Sequence, residues 1–385
     1  MATSQPPLPP PSSLPTPAPA PTRIDVHHHI FPPAHIYGYA KDALNARAGW
    51  RTPAANVPWA PAVSLRAMDA MGVQAAVLSY PAGVPARARA AGVGDGGKED
   101  GKQEAEERGE NRRAARALNE YARSVCEEGE GRGRFGWMAC LPDWRDTAGA
   151  LDELAYALDV LQADGVSVSS SYGEGADAVY IGDDMFDPIW AELDRRGATV
   201  FLHGAQTPSS TPYPHAFLGL PITEVPNETF KAAAHLVVTG KKRRLTRTRV
   251  VLAHLGGSAP CLAPRVAVLA AHMGCALAPE ACLADFASFY FDAALAAHES
   301  TLGALGALGV GPERVVFGTD FPGGWAVRRV CRFAVSTDMA GWYTKNVDAF
   351  YADDPAALAA VQRENALRLF PRLRERLQQR AQVQG

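Results

Sequence analysis

The sequence predicts an α/β protein, a single (β/α)8 TIM barrel. Eight short apolar segments recur along the chain, and segments with a helical pattern separate them. The apolar residues run continuously within each short segment, which is typical of parallel strands buried on both faces. Eight strand–helix units are the number that closes a parallel barrel, and 385 residues suffice for one barrel with insertions.

The predicted strands follow one another at intervals that leave room for helices between them. They are RIDVHH (23–28), QAAVLSY (74–80), RFGWMACL (134–141), GVSVSS (165–170), ATVFLHG (198–204), RVVLAHLG (249–256), SFYFDAA (288–294) and RVVFGTD (314–320). An open, doubly wound sheet is the alternative architecture. No G-x-G-x-x-G motif follows a strand, which argues against a dinucleotide-binding version of it.

Three of the intervening helices carry signals of their own. DTAGALDELAYALDVLQA follows the third strand, with Asp146 as its predicted N-cap. FDPIWAELDRRG ends in Gly197, a C-cap signal directly before the fifth strand. DPAALAAVQRENALRLF is the predicted last helix of the barrel.

The barrel is predicted to span residues 23–375, with less ordered segments around and within it. Residues 1–22 are rich in Pro, Ser and Ala and should form a disordered tail. A flexible, charged insertion covers residues 84–110, and its charged part should open a solvated helix. Residues 376–385 are assigned to a C-terminal tail.

Composition excludes several functional classes. A net charge of -3 gives no reason to expect nucleic acid or an anionic membrane as a partner. No apolar stretch approaches the roughly 20 residues of a membrane span, and residues 1–22 lack the features of a signal peptide. We therefore expect a cytoplasmic protein. The six cysteines form no C-x-x-C pair, which predicts free thiols rather than a cysteine metal site.

Imidazoles and a carboxylate stand at the ends of several predicted strands. His27 and His29 end the first strand, His203 the fifth, His254 the sixth and Asp320 the eighth. The C-terminal ends of barrel strands meet at one mouth, where the active sites of such barrels form. Each residue alone also has a structural interpretation, such as an N-cap for Asp320. Together they predict a functional site at the mouth.

The H-x-H spacing assigns side chains to faces. Side chains alternate along a strand, so His27 and His29 point the same way and His28 points the opposite way. His203 can add a third nitrogen, and Asp320 an oxygen. Three imidazoles and one carboxylate suit one divalent cation, Zn²⁺ first, and also accept Mn²⁺, Co²⁺ or Fe²⁺.

His254 is predicted to lie beside this cation. It could deprotonate a bound water or hold a substrate carboxylate. The alternative is a structural ring that is hydrogen-bonded to the adjacent loop, GGSAP. A two-metal barrel of this kind uses a lysine at the end of strand four, and the segment SVSSSYG has none, which favours a single ion.

Aromatic and cationic residues near the predicted mouth could shape a pocket for a flat acid. The candidate wall residues are Trp50, Trp59, Tyr172, Phe321 and Trp325. The candidate carboxylate partners are Arg51 and Arg66.

The motifs around these residues resemble the amidohydrolase superfamily. The resemblance rests on four segments, DVHHHIFPP, FLHG, VLAHLGG and VVFGTDFP. They are similar to the branch typified by 2-amino-3-carboxymuconate-6-semialdehyde decarboxylase, as is YGEGADAVYIGDDMFDPIWAELDRRGATVFLHG. Within that branch, residues 23–375 look like the fungal 6-methylsalicylate decarboxylases, through DTAGALDELAYALDVLQADGV and LFPRL among others.

The resemblance implies a set of roles. His27, His29, His203 and Asp320 would bind one divalent ion, Zn²⁺ or alternatively Mn²⁺, and His254 and Asp320 would be catalytic. The implied reaction is nonoxidative decarboxylation of a hydroxybenzoate, 6-methylsalicylate to 3-methylphenol (m-cresol) and CO₂, in fungal polyketide secondary metabolism. The implied partners are a small aromatic carboxylic acid and, in a homodimer, a second copy of the chain.

Alternatives stay open at this point. Asp320 could carry a proton to the ring, or His254 could generate a metal hydroxide that attacks the substrate. The same site could serve a hydrolase of a lactone or amide. A third interpretation is a metal-binding protein without catalysis, or a partner-binding module that uses the proline-rich tail. Ser170 or Ser171 stands where the resemblance leads us to expect a cation, and DFPGGW stands in place of DFPN. These departures concern the substrate more than the reaction.

Overall fold

The computed structural model describes residues 22–33, 36, 58–81, 100–129, 131–173, 178–205, 215, 217–322 and 339–384. Eight strands form one parallel sheet in chain order. They are β1 (Arg23–His29), β2 (Val73–Ser79), β3 (Phe135–Cys140), β4 (Gly165–Ser169), β5 (Thr199–His203), β6 (Arg249–Leu252), β7 (Tyr290–Asp292) and β8 (Val315–Val316).

The sheet closes between its first and last strands. Val26 N donates to Phe317 O at 3.0 Å, and Asp320 N donates to His27 O at 2.9 Å. The segment that follows β8 therefore continues the ladder along β1. The predicted (β/α)8 TIM barrel is confirmed, and all eight predicted strands are present.

Helices surround the strands. They are α1 (Pro61–Ala70), α2 (Asp100–Glu127), α3 (Thr147–Ala155), α4 (Asp187–Arg196), α5 (Leu220–Val238), α6 (Lys241–Arg244), α7 (Ala259–His272), α8 (Pro279–Ala287), α9 (Glu299–Ala307), α10 (Met339–Phe350), α11 (Pro355–Ala359), α12 (Asn365–Leu369) and α13 (Pro371–Gln384). Shorter elements are the π-helical turns Tyr156–Val160 and Ala360–Glu364, the 3-10 turns Asp184–Phe186, His254–Gly256 and Pro312–Arg314, and the antiparallel pair Ser171–Tyr172 with Val179–Tyr180. Within the described residues, no helix has both the length and the apolar character of a membrane span.

Two of the predicted helix caps are present. The Asp146 carboxylate accepts from Gly149 N at 3.2 Å and begins α3. Gly197 adopts a left-handed φ of 62° and ends α4 directly before β5. The charged part of the predicted insertion belongs to α2, while residues 82–99 and the tail residues 1–21 lie outside the described residues.

The N-terminal end of the barrel, which we call the floor, is closed by the last two helices. Phe370, Leu373 and Leu377 are buried with the inward side chains of the strands, such as Ile24 and Phe201. Because Leu373 and Leu377 lie one helical turn apart, both face the barrel.

The C-terminal segment corrects the sequence analysis, which assigned residues 376–385 to a tail. Residues up to Gln384 continue α13. The Arg376 guanidinium pairs with the fully buried carboxylate of Asp164, and Arg380 donates to Arg132 O at 2.9 Å. This part of the chain is therefore attached to the barrel by polar contacts as well as by apolar packing.

Candidate metal centre

Five side chains from four strand ends meet at the C-terminal mouth of the barrel. The Nε2 atoms of His27 and His29 are 3.1 Å apart, and Asp320 Oδ1 lies 3.3 Å from each of them. The His203 ring centroid is 5.2 Å from that of His27 and 5.3 Å from that of His29. His254 Nε2 lies 3.8 Å from Asp320 Oδ2. The structure thus brings together all five site residues that the sequence predicted, which we call the mouth cluster.

Hydrogen bonds on the far side of the rings fix which nitrogen faces the centre. His203 Nδ1 lies 2.9 Å from Gly204 O, and a carbonyl can only accept. His27 Nδ1 lies 3.1 Å from Asp292 Oδ2, which as a carboxylate also accepts. In its neutral form, each of these two rings therefore carries the proton on Nδ1 and presents the Nε2 lone pair inward, the form that binds a metal ion.

The donor atoms fit a single divalent ion. Two atoms that each lie about 2.1 Å from one ion, at angles between about 90° and 110°, are roughly 3.0–3.4 Å apart. The separations of 3.1, 3.3 and 3.3 Å among His27, His29 and Asp320 match that range. His203 completes a group of three imidazoles that could hold an ion together. Three nitrogens and one carboxylate oxygen suit Zn²⁺ or Mn²⁺.

Electrostatics favour positive charge at the centre of the mouth cluster. Burial alone would lower the pKa of His27, but the carboxylates of Asp292 and Asp320 outweigh it and raise that pKa from 6.5 to about 10. Burial and the neighbouring imidazoles hold the pKa of His203 well below 6.5. Burial would raise the pKa of Asp320, but the facing imidazoles, His27 first, keep it well below 3.8.

The backbone is strained where it presents the last two members of the cluster. His254, Leu255 and Asp320 have φ values of 56°, 52° and 55°, in the left-handed region that non-glycine residues rarely adopt. Such conformations cost about 1–3 kcal/mol each and concentrate at functional sites. The turn that holds His254 needs glycine at Gly257, where a Cβ atom would lie 1.9 Å from Pro226 O.

His28 points away from the cluster, as the alternation along β1 predicted. Its Nδ1 lies 2.9 Å from Asp25 Oδ2, and its Nε2 lies 2.8 Å from Ser64 Oγ on α1. Asp25 also accepts from Thr319 N at 3.0 Å and from Thr319 Oγ1 at 2.5 Å. Asp25 therefore fastens β1 to the residue directly before Asp320.

The aromatic wall predicted for the pocket is wrong for two residues. Trp59 donates Nε1 to Ser64 Oγ at 3.0 Å, on the helix side of the sheet. Phe321 is fully buried and stacks on His28, with ring centroids 4.6 Å apart. Both rings lie with His28 on the outside of the barrel. The prediction failed because an aromatic residue in a βα loop can turn to either face of the sheet.

Other predicted pocket residues do not contact the mouth cluster or lie outside the described part. Tyr172 stacks on Trp144 at 5.5 Å, in the layer between the strands and the helices. Arg66 is exposed on α1, which flanks the outside of the sheet. The predicted residues that lie outside the described ranges are Trp50, Arg51 and Trp325.

Two functional contacts were missed by the sequence analysis. Asp292, which orients His27, is the last residue of β7, and Ser79, whose Oγ lies 3.2 Å from His29 Nδ1, is the last residue of β2. The sequence analysis selected histidines and one aspartate at the C-terminal ends of strands. The same criterion would have selected Asp292 and Ser79 if it had been applied to every polar residue at a strand end.

Comparison with known proteins agrees with this geometry. A family model described as Amidohydrolase matches residues 24–372. The chain is 34% identical to the 6-methylsalicylic acid decarboxylase of Aspergillus aculeatus over 364 residues, 91% of this chain and 97% of the relative. It is 26% identical over 216 residues to the 2-amino-3-carboxymuconate-6-semialdehyde decarboxylase of Dictyostelium discoideum, 54% of this chain and 56% of the relative. The resemblance drawn from the motifs is confirmed.

A solved structure shows the same fold. It is the dihydroxybenzoic acid decarboxylase of Polaromonas, with bound manganese and the inhibitor 2-nitroresorcinol. The TM-score is 0.65 at 20% identity, over 91% of this chain and 96% of that chain.

Proposed function

The chain belongs to the amidohydrolase family, and from that premise we propose that it is a metal-dependent, nonoxidative decarboxylase of a hydroxybenzoate. This makes it an enzyme of the carboxy-lyase class. The observation that carries the proposal is the set of three imidazoles and one carboxylate within the mouth cluster that could hold an ion, in a chain that is 34% identical over 91% of its length to a 6-methylsalicylic acid decarboxylase. We propose 6-methylsalicylate as the substrate, with 3-methylphenol and CO₂ as products.

Four residues are assigned to the ion and two to the chemistry. His27, His29, His203 and Asp320 would hold one divalent cation, Zn²⁺ in the first place and Mn²⁺ as the alternative. When bound, the ion supplies Lewis-acid stabilisation of the anionic oxygens of the substrate. Asp320 and His254 are the proposed catalytic residues.

The reaction requires one proton at one carbon. When the ring carbon that bears the carboxylate takes up a proton, ring aromaticity is lost. The C–CO₂ bond then breaks, its electron pair returns to the ring, and CO₂ leaves. Asp320 lies at the centre of the mouth cluster, where it can carry this proton to the ring. His254 Nε2, 3.8 Å from Asp320 Oδ2, can resupply the proton or orient the carboxylate.

The surroundings of His254 support a role in proton transfer. Its Nδ1 atom is buried, and no described residue hydrogen-bonds to it. The rings of His27 and His203 are held in one tautomer by their Nδ1 partners, whereas the Nδ1 of His254 has no such partner among the described residues. His254 can therefore change its protonation state without breaking a protein hydrogen bond at that atom.

The first experiment measures products and their dependence on metal. The purified protein is stripped with a chelator, reloaded with Zn²⁺ or Mn²⁺, and incubated with 6-methylsalicylate, 2,6-dihydroxybenzoate, salicylate and an aryl lactone. We expect equimolar CO₂ and 3-methylphenol from 6-methylsalicylate, and no product from the stripped protein. If the loaded protein released no CO₂ from any hydroxybenzoate, the proposal would fail, and lactone opening would then favour the hydrolase.

A second experiment tests His254, with His272 at the exposed end of α7 as the matched histidine. We expect His254→Ala to keep its metal content and to lose turnover by about 100- to 10,000-fold, the usual contribution of a general acid or base. His272→Ala should match the wild type in both measurements. Unchanged turnover in His254→Ala would remove this residue from the mechanism.

Three further proposals remain, of which the last two follow from the family resemblance. We propose a cytoplasmic location, a place in fungal polyketide secondary metabolism, and a homodimer. Sedimentation of the full chain tests the last of these.

A further inference from the structure

Ser169 occupies a position in the mouth that the proposed mechanism does not use. It is the last residue of β4, and its register partner on β5 is His203. Register partners on adjacent parallel strands point to the same face of the sheet. The residue pair two positions earlier, Ser167 and Phe201, shows which face this is, because Phe201 belongs to the barrel interior. The Ser169 side chain is therefore on the inner face, beside His203.

The Ser169 hydroxyl has no hydrogen-bond partner among the residues that the structure describes. The residue is 4% exposed, and no described residue forms a hydrogen bond with its Oγ atom. Neighbouring serines behave differently: Ser170 Oγ accepts from Ala205 N at 2.9 Å, and Ser79 Oγ lies 3.2 Å from His29 Nδ1. Native proteins rarely keep a buried hydroxyl unpaired, so this one calls for a partner other than the described residues, and a ligand in the mouth is such a partner.

The position of Ser169 indicates what that partner is. β5 lies between β4 and β6, so Ser169 and His254 flank His203 on its two sides. A ligand held at the mouth cluster would meet the Ser169 hydroxyl on one side and the His254 ring, whose Nε2 faces Asp320, on the other. A hydroxyl is a good donor to an anionic oxygen, and charge-assisted hydrogen bonds are the stronger kind.

We propose that Ser169 is a substrate-binding residue, whose hydroxyl donates a hydrogen bond to a carboxylate or phenolate oxygen of the aromatic acid in the mouth. This inference rests on the proposed function for the identity of the acid. Ser169, the last residue of β4, would thus contact the anionic oxygens of the substrate through a neutral group. The residues that hold the ion would act on the substrate separately.

The test is Ser169→Ala, with Ser124→Ala as the matched control. Ser124 Oγ bonds to Tyr121 O within α2, away from the mouth. We expect Ser169→Ala to lower kcat/KM for 6-methylsalicylate about tenfold or more, mainly by raising KM, because the contact is made in both the bound substrate and the transition state. Metal content should not change, and Ser124→Ala should stay within about twofold of the wild type.

Thermal unfolding separates this role from a structural one. Removing a buried hydroxyl that no described residue pairs with should leave the Tm of the ligand-free protein unchanged or raise it. A clear fall in Tm for Ser169→Ala would show that the hydroxyl supports the fold, and the proposal would be overturned.

A binding measurement keeps this inference distinct from the proposed function. Calorimetry with metal-loaded protein and salicylate should show binding about tenfold weaker in Ser169→Ala than in the wild type. If the wild type released no CO₂ yet showed this difference, the decarboxylase would fail while the contact stood. An active wild type with equal kcat/KM and equal salicylate affinity in Ser169→Ala would overturn the contact alone. A wild type that neither bound salicylate nor turned over any hydroxybenzoate would overturn both.

Discussion

The two ends of the barrel serve different purposes. At the mouth, His254 and Asp320 are held in left-handed backbone, and the buried Ser169 Oγ has no hydrogen-bond partner in the described part of the chain. At the floor, Phe370 and Leu373 are packed without exposure against the strand interior. The same eight strands thus end in strained backbone and polar groups at the mouth, and in close apolar packing at the floor. This difference implies that function and stability can be changed separately, and the predictions below test that separation.

The largest effect on stability is expected at the floor. Leu373→Ala removes a fully buried side chain and should lower the free energy of unfolding by about 2–5 kcal/mol, measured by urea denaturation. KM and metal content should not change, because the mouth lies at the other end of the strands. Leu269→Ala, at a leucine that is 41% exposed on α7, should cost at most about 0.5 kcal/mol. A raised KM in Leu373→Ala would contradict the separation of the two ends.

An intermediate effect is expected behind the mouth cluster. Asp292→Asn weakens the carboxylate that orients His27 and should reduce metal affinity by about 10- to 100-fold. Turnover should recover at saturating metal, because the ion-holding residues themselves remain. Asp285→Asn is the control, since that carboxylate pairs with Arg243 on the outside of the barrel at 2.9 Å. If Asp292→Asn bound metal as tightly as the wild type, Asp292 would not be needed to orient the His27 ring.

The smallest effect is expected in the outer layer, at the cap of α3. Asp146→Ala should cost about 1 kcal/mol of unfolding free energy at pH 7. The hydrogen bonds from Arg112 hold the pKa of Asp146 below 3.8, so the folded state favours the carboxylate. This contribution is present above about pH 4 and is lost as the pH falls through the depressed pKa. Denaturation at a series of pH values should therefore show the difference between the wild type and Asp146→Ala shrinking in acid. A difference that is constant with pH would contradict this origin.

The positions of the strands and of the mouth cluster could be predicted from the sequence, because both follow from rules that involve only neighbouring residues. Continuous apolar runs mark buried parallel strands, and polar residues at their C-terminal ends must share one mouth, which placed His27, His203 and Asp320 together. The alternation along β1 also separated His28 from its neighbours. These inferences need only the strand order and the two-residue period.

The remaining features depend on tertiary contacts. The helix α13 is mostly polar and has few apolar residues, Leu373 and Leu377 among them. Its sequence therefore suggests a tail, because the barrel floor that buries these leucines is not visible in the sequence. Phe321 follows the last strand, and nothing local shows that its ring turns outward onto His28. The left-handed backbone conformation of His254 likewise cannot be predicted from the local sequence HLGG.

The bond between Asp25 and Thr319 joins residues that are 294 positions apart. At about 5–20 residues per second, a ribosome needs roughly 15–60 seconds to add the second partner after the first. During that interval the nascent chain displays His27 and His29 without the acidic residue that should share a cation with them. The residues proposed to hold the ion are therefore complete only after residue 320 has been added, so we expect the ion to bind late in synthesis rather than to guide the folding of the first strands.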